Sequence, residues 1–382
     1  MTRSQLFALW ISFLVLQAVA FVNAFVVDLK GGTIDAVRFQ DAARDWADFG
    51  VWEFAVNSEF FVQYLGTLYR IFGPSEFIAT QFGLAAMMLA ALLLIRFARA
   101  LGFVFPALGL IVFLLWPSML LRITTTLREP YMIFCVILSF YGLLRFSQTG
   151  RVRYAVISVA AIGLEALFHK ALAVLAPFLI LIIIWKFLFD RGLPLLRKSG
   201  WIGLGLFGLG VVAIGSFAAF ETTVKGLKPL QSLLLWDTAH ISQVLEYKTG
   251  RDFRTTYDAA LDFSDPLRFL TSLGRSFLYY MFMPFPWLVR SPLDILAFVE
   301  ASFRFFGSLL IVRFVLLERA IPTPLRPVLL AGFLLTLIWA VGTANYGTAS
   351  RHHLTTNWLF FMIYVACFTR RVPSLDRRFA LP

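Results

Sequence analysis

Asp35 lies a few residues beyond the first long apolar run, in the segment GGTIDAVRFQ. A carboxylate there can take a proton from an acceptor hydroxyl as it attacks an activated sugar. Capping or solvating the helix that follows is the other use open to it. Arg122 and Arg128 bracket the short run ITTTL and precede Glu129 and Pro130. Two guanidiniums at a water–lipid boundary can clamp a phosphate through paired hydrogen bonds, or snorkel toward headgroups. Glu165 and His169 stand four residues apart on one helix face, with Lys170 next. Ionisable groups at membrane depth are functional candidates, and the same pair can tie two helices together. The run NYGTASRHH gathers Arg351, His352 and His353 in one turn. That turn can bind an anionic headgroup, protonate a leaving group, or be a plain surface loop. Adjacent histidines are a weak zinc pattern, and no metal or other cofactor is expected.

The elements that must hold these residues are membrane helices. The 382 residues are 59% apolar and 15% charged, a balance that excludes a soluble globular chain. About 20 apolar residues cross a bilayer core, and spanning segments must satisfy their own backbone, so helices are required. Apolar runs at 6–27, 77–95, 103–121, 130–144, 155–168, 171–189, 201–220, 293–317, 327–344 and 354–368 predict about ten spans. The fold class expected is all-α, a polytopic helical membrane protein forming a single integral domain over 1–382. The stretch 155–189 is too long for one crossing and predicts a turn at His169 and Lys170. The first run exceeds a usual signal-peptide core and predicts an uncleaved anchor.

Charge sets the orientation. With both termini inside, the inner segments collect sixteen arginines and lysines, among them Arg96, Arg99, Arg145, Arg151, Arg153 and Lys186, against four in the short outer loops. The net charge of +12 is then the inner face meeting anionic lipid, not a nucleic-acid footprint. Two long loops, 28–76 and 221–292, fall outside the cytoplasm. The first is acid-rich, and 34–49 predicts a helix with Asp41, Asp45 and Asp48 on a solvated face. In the second, 276–287 is aromatic and holds Pro284 and Pro286, which suits an interfacial segment. Glu300 and Arg304 predict a structural pair within a span. Cys135 and Cys367 both fall in predicted spans, so no disulfide framework is visible.

The order of features resembles the GT-C superfamily of membrane glycosyltransferases: a first span, a loop bearing Asp35 and RFQDAA, FVQYLGTLYRIFGPS, a hairpin closing at WPS, and LREP. LREP, FHKA and the late NYGTASRHH look most like bacterial exopolysaccharide or O-antigen repeat-unit polymerases. The resemblance implies a polyprenyl-(pyro)phosphate-linked sugar or oligosaccharide as donor and a glycan or lipid-linked acceptor. By that resemblance Asp35 matches the first-loop carboxylate, and Arg128, His169 and Arg351 the outer basic positions. With the residues read above, the expected site is Asp35 and His169 for catalysis and Arg122, Arg128, Lys170, Arg351, His352 and His353 for the donor phosphate. Further implied are residence in the bacterial inner membrane and contact with envelope-assembly partners. A transporter or flippase for a lipid-linked glycan is the alternative; it predicts charges along a path through the helices.

Overall fold

The computed structural model describes residues 1–27, 33–190, 255–257, 261–262, 265–313 and 323–368. The expected span at 201–220 and most of the loop 221–292 lie outside them. Regular structure among the described residues is helical, with one isolated β-bridge. The helices are α1 (Arg3–Phe25), α2 (Thr33–Phe49), α3 (Ser58–Phe72), α4 (Glu76–Ala100), α5 (Ala107–Leu114), α6 (Pro117–Ile123), α7 (Glu129–Thr149), α8 (Val152–Phe168) and α9 (Leu175–Asp190). They continue with α10 (Pro266–Phe282), α11 (Pro292–Val312), α12 (Arg326–Val341), α13 (Tyr346–His352) and α14 (Leu354–Phe368). Five helical stretches among the described residues are long and apolar enough to cross a membrane: α1, α4, α7, α11 and Lys170–Phe187. This is a membrane-embedded helical protein.

One expected span is corrected. The run 103–121 is cut into α5 and α6, of 8 and 7 residues. At 1.5 Å per residue neither exceeds roughly 12 Å, against a core of about 30 Å. The cause is Pro117, which lacks an N–H and disfavours the α conformation at the residue before it. Trp116 accordingly sits at φ −55°, ψ 132°. Farther along, the expected turn at His169 and Lys170 is present. Helix α8 ends at Phe168 and a 3-10 turn, Lys170–Val174, leads into α9.

The chain divides into two compact units. The first holds Met1–Tyr141, Gly163–His169 and the residues from Leu354 onward. Its centre is α4, which buries Leu84, Met87, Ala90, Leu94 and Phe97. Gly83 of α4 lies where an added Cβ would stand 3.3 Å from the Pro130 ring, so α4 and α7 approach closely. Helix α14 closes this core, with Trp358 packing on Phe97 and Phe140 at centroid distances of 5.3 and 5.5 Å. Helix α1 lies at the edge and spends its polar residues on neighbours. Gln5 donates to the Phe105 carbonyl at 2.8 Å, Gln17 to Gln81, and Asn23 to the Thr124 carbonyl at 3.1 Å. Polar side chains in lipid must find such partners within the protein.

The second unit holds Gly142–Ile162 and Lys170–His353. Helix α10 packs against α11 and α12. Residues 255–257 join the turn before α13: Tyr257 N donates to Ala344 O and Tyr346 N to Thr255 O, both at 3.0 Å. Arg304 is buried and donates Nε to the Met281 carbonyl at 2.9 Å. Glu300, one turn earlier and also buried, is its electrostatic partner.

Within this unit α7 and α8 nearly touch at Gly142. A Cβ there would stand 2.8 Å from Tyr154 O and 2.9 Å from Ser158 N, atoms of backbone that cannot swing aside. Gly163, by contrast, has nothing within 4 Å of its Cβ position. Gly142→Ala should therefore lower stability by about 1–3 kcal/mol. Gly163→Ala should be neutral or raise it by up to about 1 kcal/mol, since glycine disfavours helix interiors. Thermal unfolding of the purified proteins in one detergent measures both. Equal midpoints for the two variants would contradict this packing.

Candidate functional site

The site is built on α2 and α3, the two helices of the first loop. Helix α2 buries Ala36, Gln40 and Ala43, spaced four and three residues apart and so on one face. That face meets Phe61, Leu65, Gly66 and Tyr69 of α3. Gly66 is needed there: a Cβ would lie 2.5 Å from the Trp46 ring and 3.0 Å from the Ala43 carbonyl. Burial holds the Tyr69 hydroxyl up at about 12. The opposite face of α2 carries Asp41, Asp45 and Asp48, all exposed, with Asp41 paired to Arg44 at 3.0 Å. A surface pair of this kind adds little stability.

Arg70 of α3 closes the C-terminal end of α2. Its Nε donates to Ala47 O at 2.9 Å, and Nη2 donates to Gly50 O at 2.9 Å and Trp46 O at 3.2 Å. Trp46 O also accepts from Gly50 N at 2.7 Å, so Arg70 adds a second donor there; a cation suits the negative end of the helix dipole. The guanidinium also sits 4.8 Å from the centroid of the Trp46 ring. One arginine thus sets both the end of α2 and the place of Trp46.

Arg128, in the turn before α7, is the second fixed point. Its Nη1 donates to Asn57 Oδ1 and, at 2.8 Å, to the Phe168 carbonyl at the end of α8. Asn57 is the cap residue before α3 and has φ 65°, ψ −133°. A non-glycine residue held at positive φ stores strain that surrounding contacts must offset. Here those contacts are Arg128 on the side chain and Leu167 O on the backbone N–H, at 2.6 Å. Below them Phe61, Tyr64, Tyr131 and Phe168 form an aromatic floor, with Tyr131 and Phe168 stacked at 5.3 Å.

Together α2, the connection after it, α3 and Arg128 line an open-sided cavity of about 730 Å³. Asp35, Glu53 and Glu59 put carboxylates on its wall, and Arg38 and Arg128 put guanidiniums there. Phe39 and Trp46 add ring faces, and Arg128 lies 5.9 Å from the Phe39 centroid. Gln63 is oriented by accepting from Glu53 N at 3.0 Å. A wall of aromatic faces interleaved with polar groups suits a hydroxyl-rich ligand, and the guanidiniums suit an anion.

Of the residues singled out in sequence, Asp35 and Arg128 thus line one cavity. Arg122 is buried on the last turn of α6 and is not among the lining residues. His169 ends the α8 segment, its N–H donating to Glu165 O at 3.0 Å. Glu165 is fully buried, and its carboxyl oxygens accept no hydrogen bond from a described residue, so the side-chain pair with His169 is not made. The charge acting on it is that of Arg128. Lys170, Arg351, His352 and His353 belong to the second unit. His353 is completely buried, bonded through Nε2 to the Tyr280 carbonyl at 2.8 Å, and packs on the Tyr280 ring. His352 stacks on Trp339 at 3.9 Å and bonds Thr343 Oγ1 through Nδ1 at 2.9 Å. Sequence reasoning missed Asn57, Arg70 and Trp46; an asparagine just before an apolar-periodic run was the one available signal. Comparison with protein-family models, curated proteins and solved structures finds no match.

Glycine adopts positive φ without steric penalty. Asn57→Ala and Asn57→Gly both remove the acceptor that orients Arg128, but only alanine keeps the strain. The alanine variant should be the less stable of the two, by about 1–3 kcal/mol. Thermal unfolding in detergent ranks them, and an alanine variant as stable as the glycine one would remove the strain from the account.

Proposed function

We propose that the protein is a membrane glycosyltransferase. It moves a sugar or oligosaccharide from a polyprenyl-(pyro)phosphate-linked donor to a hydroxyl acceptor on the extracytoplasmic face, in extension of a cell-surface polysaccharide. The observation that carries this reading is the shared cavity: Asp35 and Arg128, remote in sequence, line it together with Phe39 and Trp46. Asp35 takes the proton of the acceptor hydroxyl as its oxygen bonds to the anomeric carbon. The bond from that carbon to the donor phosphate breaks, and the negative charge appearing on the phosphate is met by Arg128. Trp46 and Phe39 offer ring faces to the sugar, and Glu53, Glu59 and Gln63 offer acceptors to its hydroxyls. The donor tail stays in the bilayer, since α2 and α3 follow α1 and precede α4, two membrane-spanning helices. In this reading the chain sits in a bacterial inner membrane with both termini cytoplasmic. His169, Lys170, Arg351 and His352 remain candidates for further contact with the donor.

Two substitutions test it, each assayed by incorporation of label from a purified polyprenyl-linked donor into longer product. Asp35→Asn keeps the shape and removes the base, so product formation should fall to background, while Asp45→Asn on the exposed face of α2 should be silent. Equal activity of the two variants would take Asp35 out of the reaction.

Arg128→Lys keeps the charge but loses the fork. Each charged hydrogen bond lost is worth about 1.5–3 kcal/mol, or roughly 10- to 150-fold in turnover. Full activity in the lysine variant at matched expression would reduce Arg128 to a structural anchor.

A further inference from the structure

The second unit carries an apolar groove. Val156, Val159 and Ala160 of α8 line a groove with Ile180, Ile183 and Ile184 of α9. Its volume is about 390 Å³ and every side chain lining it is apolar, so it offers a polar ligand no hydrogen bond. Val156, Ile180 and Ile184 are exposed along it. In a bilayer the medium that meets such a groove is hydrocarbon chain.

One end of the groove is basic. It uses the N-terminal half of α8 and the middle of α9, and the short turn between the two helices brings the start of α8 and the end of α9 to the same end. On α8, Arg153, Val156 and Ala160 follow at three and four residues and share a face. On α9, Lys186 follows Ile183 by three. Arg145 and Arg153 both lie over Tyr154, their guanidinium carbons 5.5 and 4.8 Å from its ring centroid. Arg153 also donates to the Tyr154 hydroxyl at 3.3 Å. Two like charges are held against one ring at the first turn of α8, where the unpaired N–H groups of a helix start also favour an anion.

We propose that this surface is a binding site for an anionic glycerophospholipid. Its acyl chain lies in the α8–α9 groove and its phosphate sits among Arg145, Arg153 and Lys186. Basic positions beside interhelical grooves on the cytoplasmic side are suited to such headgroups. That is the side to which the distribution of arginine and lysine assigns this end. The site is independent of the Asp35 cavity and of the reaction proposed there.

The test is native mass spectrometry of the detergent-solubilised full chain. The protein is equilibrated with equal amounts of dioleoyl-phosphatidylglycerol and dioleoyl-phosphatidylcholine, which share their tails. Wild type should retain phosphatidylglycerol in preference, and Arg153→Ala combined with Lys186→Ala should lower that preference by roughly fivefold per basic residue removed. Val159→Trp, which fills the groove, should lower retention of both lipids. Arg96→Ala, an exposed arginine at the end of α4, should change neither. The proposal fails if wild type shows no headgroup preference, if Arg96→Ala lowers it as much as the double substitution, or if the groove-filling variant retains lipid like wild type. Displacement of the phospholipid by millimolar inorganic phosphate would equally overturn it, because the tail would then contribute nothing.

Discussion

One guanidinium joins three distant parts of the first unit. Arg128 reaches Asn57 before α3 and the Phe168 carbonyl at the end of α8. Charge-assisted bonds are stronger than neutral ones, and a planar fork holds its acceptors in fixed directions. Because these bonds lie at the boundary between the loop helices and the membrane helices, they determine where α3 begins. Helix α3 in turn carries Gly66 and Arg70, which set the approach and the end of α2. Asn57 is kept at an unfavourable backbone angle by the same contact, so strain and anchor belong to one arrangement.

Elsewhere the fold meets the demands of lipid by pairing polar side chains with neighbours. The glutamines and asparagine of α1 bond to carbonyl or amide oxygens of neighbours instead of facing hydrocarbon. In the second unit, buried Asp294 accepts from Arg290 N and from the Tyr346 hydroxyl, both at 3.0 Å. His353 and Tyr280 form a second such link. In the late basic turn His353 and His352 are both held by hydrogen bonds, to Tyr280 O and Thr343 Oγ1. Glu165 is the costliest group in the first unit. A buried carboxyl with no donor is unfavourable unless it is neutral or faces a cation, and Arg128 is the cation acting on it.

The cavity brings carboxylate, guanidinium and aromatic residues to one wall. The proposed transfer needs all three: a base for the hydroxyl, a cation for the departing phosphate and a ring for the sugar. Asp35 and Trp46 stand on α2, and Arg128 in the turn before α7. Their meeting follows from packing α2 on α3 and tying α3 to the turn before α7. Arg70 contributes by holding Trp46, and so acts on the cavity wall without lining it.

By itself the sequence determined what depends on local pattern. Long apolar runs dictate membrane helices, because unpaired backbone is too costly in lipid. The spacing of Asp41, Asp45 and Asp48 shows a solvated helix face, and the excess length of 155–189 shows a break. The division of 103–121 at Pro117 was legible too, from the restriction a proline places on its predecessor, but hydropathy alone reads through it. Tertiary structure decided which groups meet. Nothing in periodicity links Arg128 to Asn57 across 71 residues or Arg70 to the end of α2. Nor does it tell that His353 turns inward while Asp35 borders a cavity. Periodicity gives the face of a helix, whereas the partner of a charged group depends on where remote segments pack. A hydrogen bond at 3 Å exists only once that packing is complete.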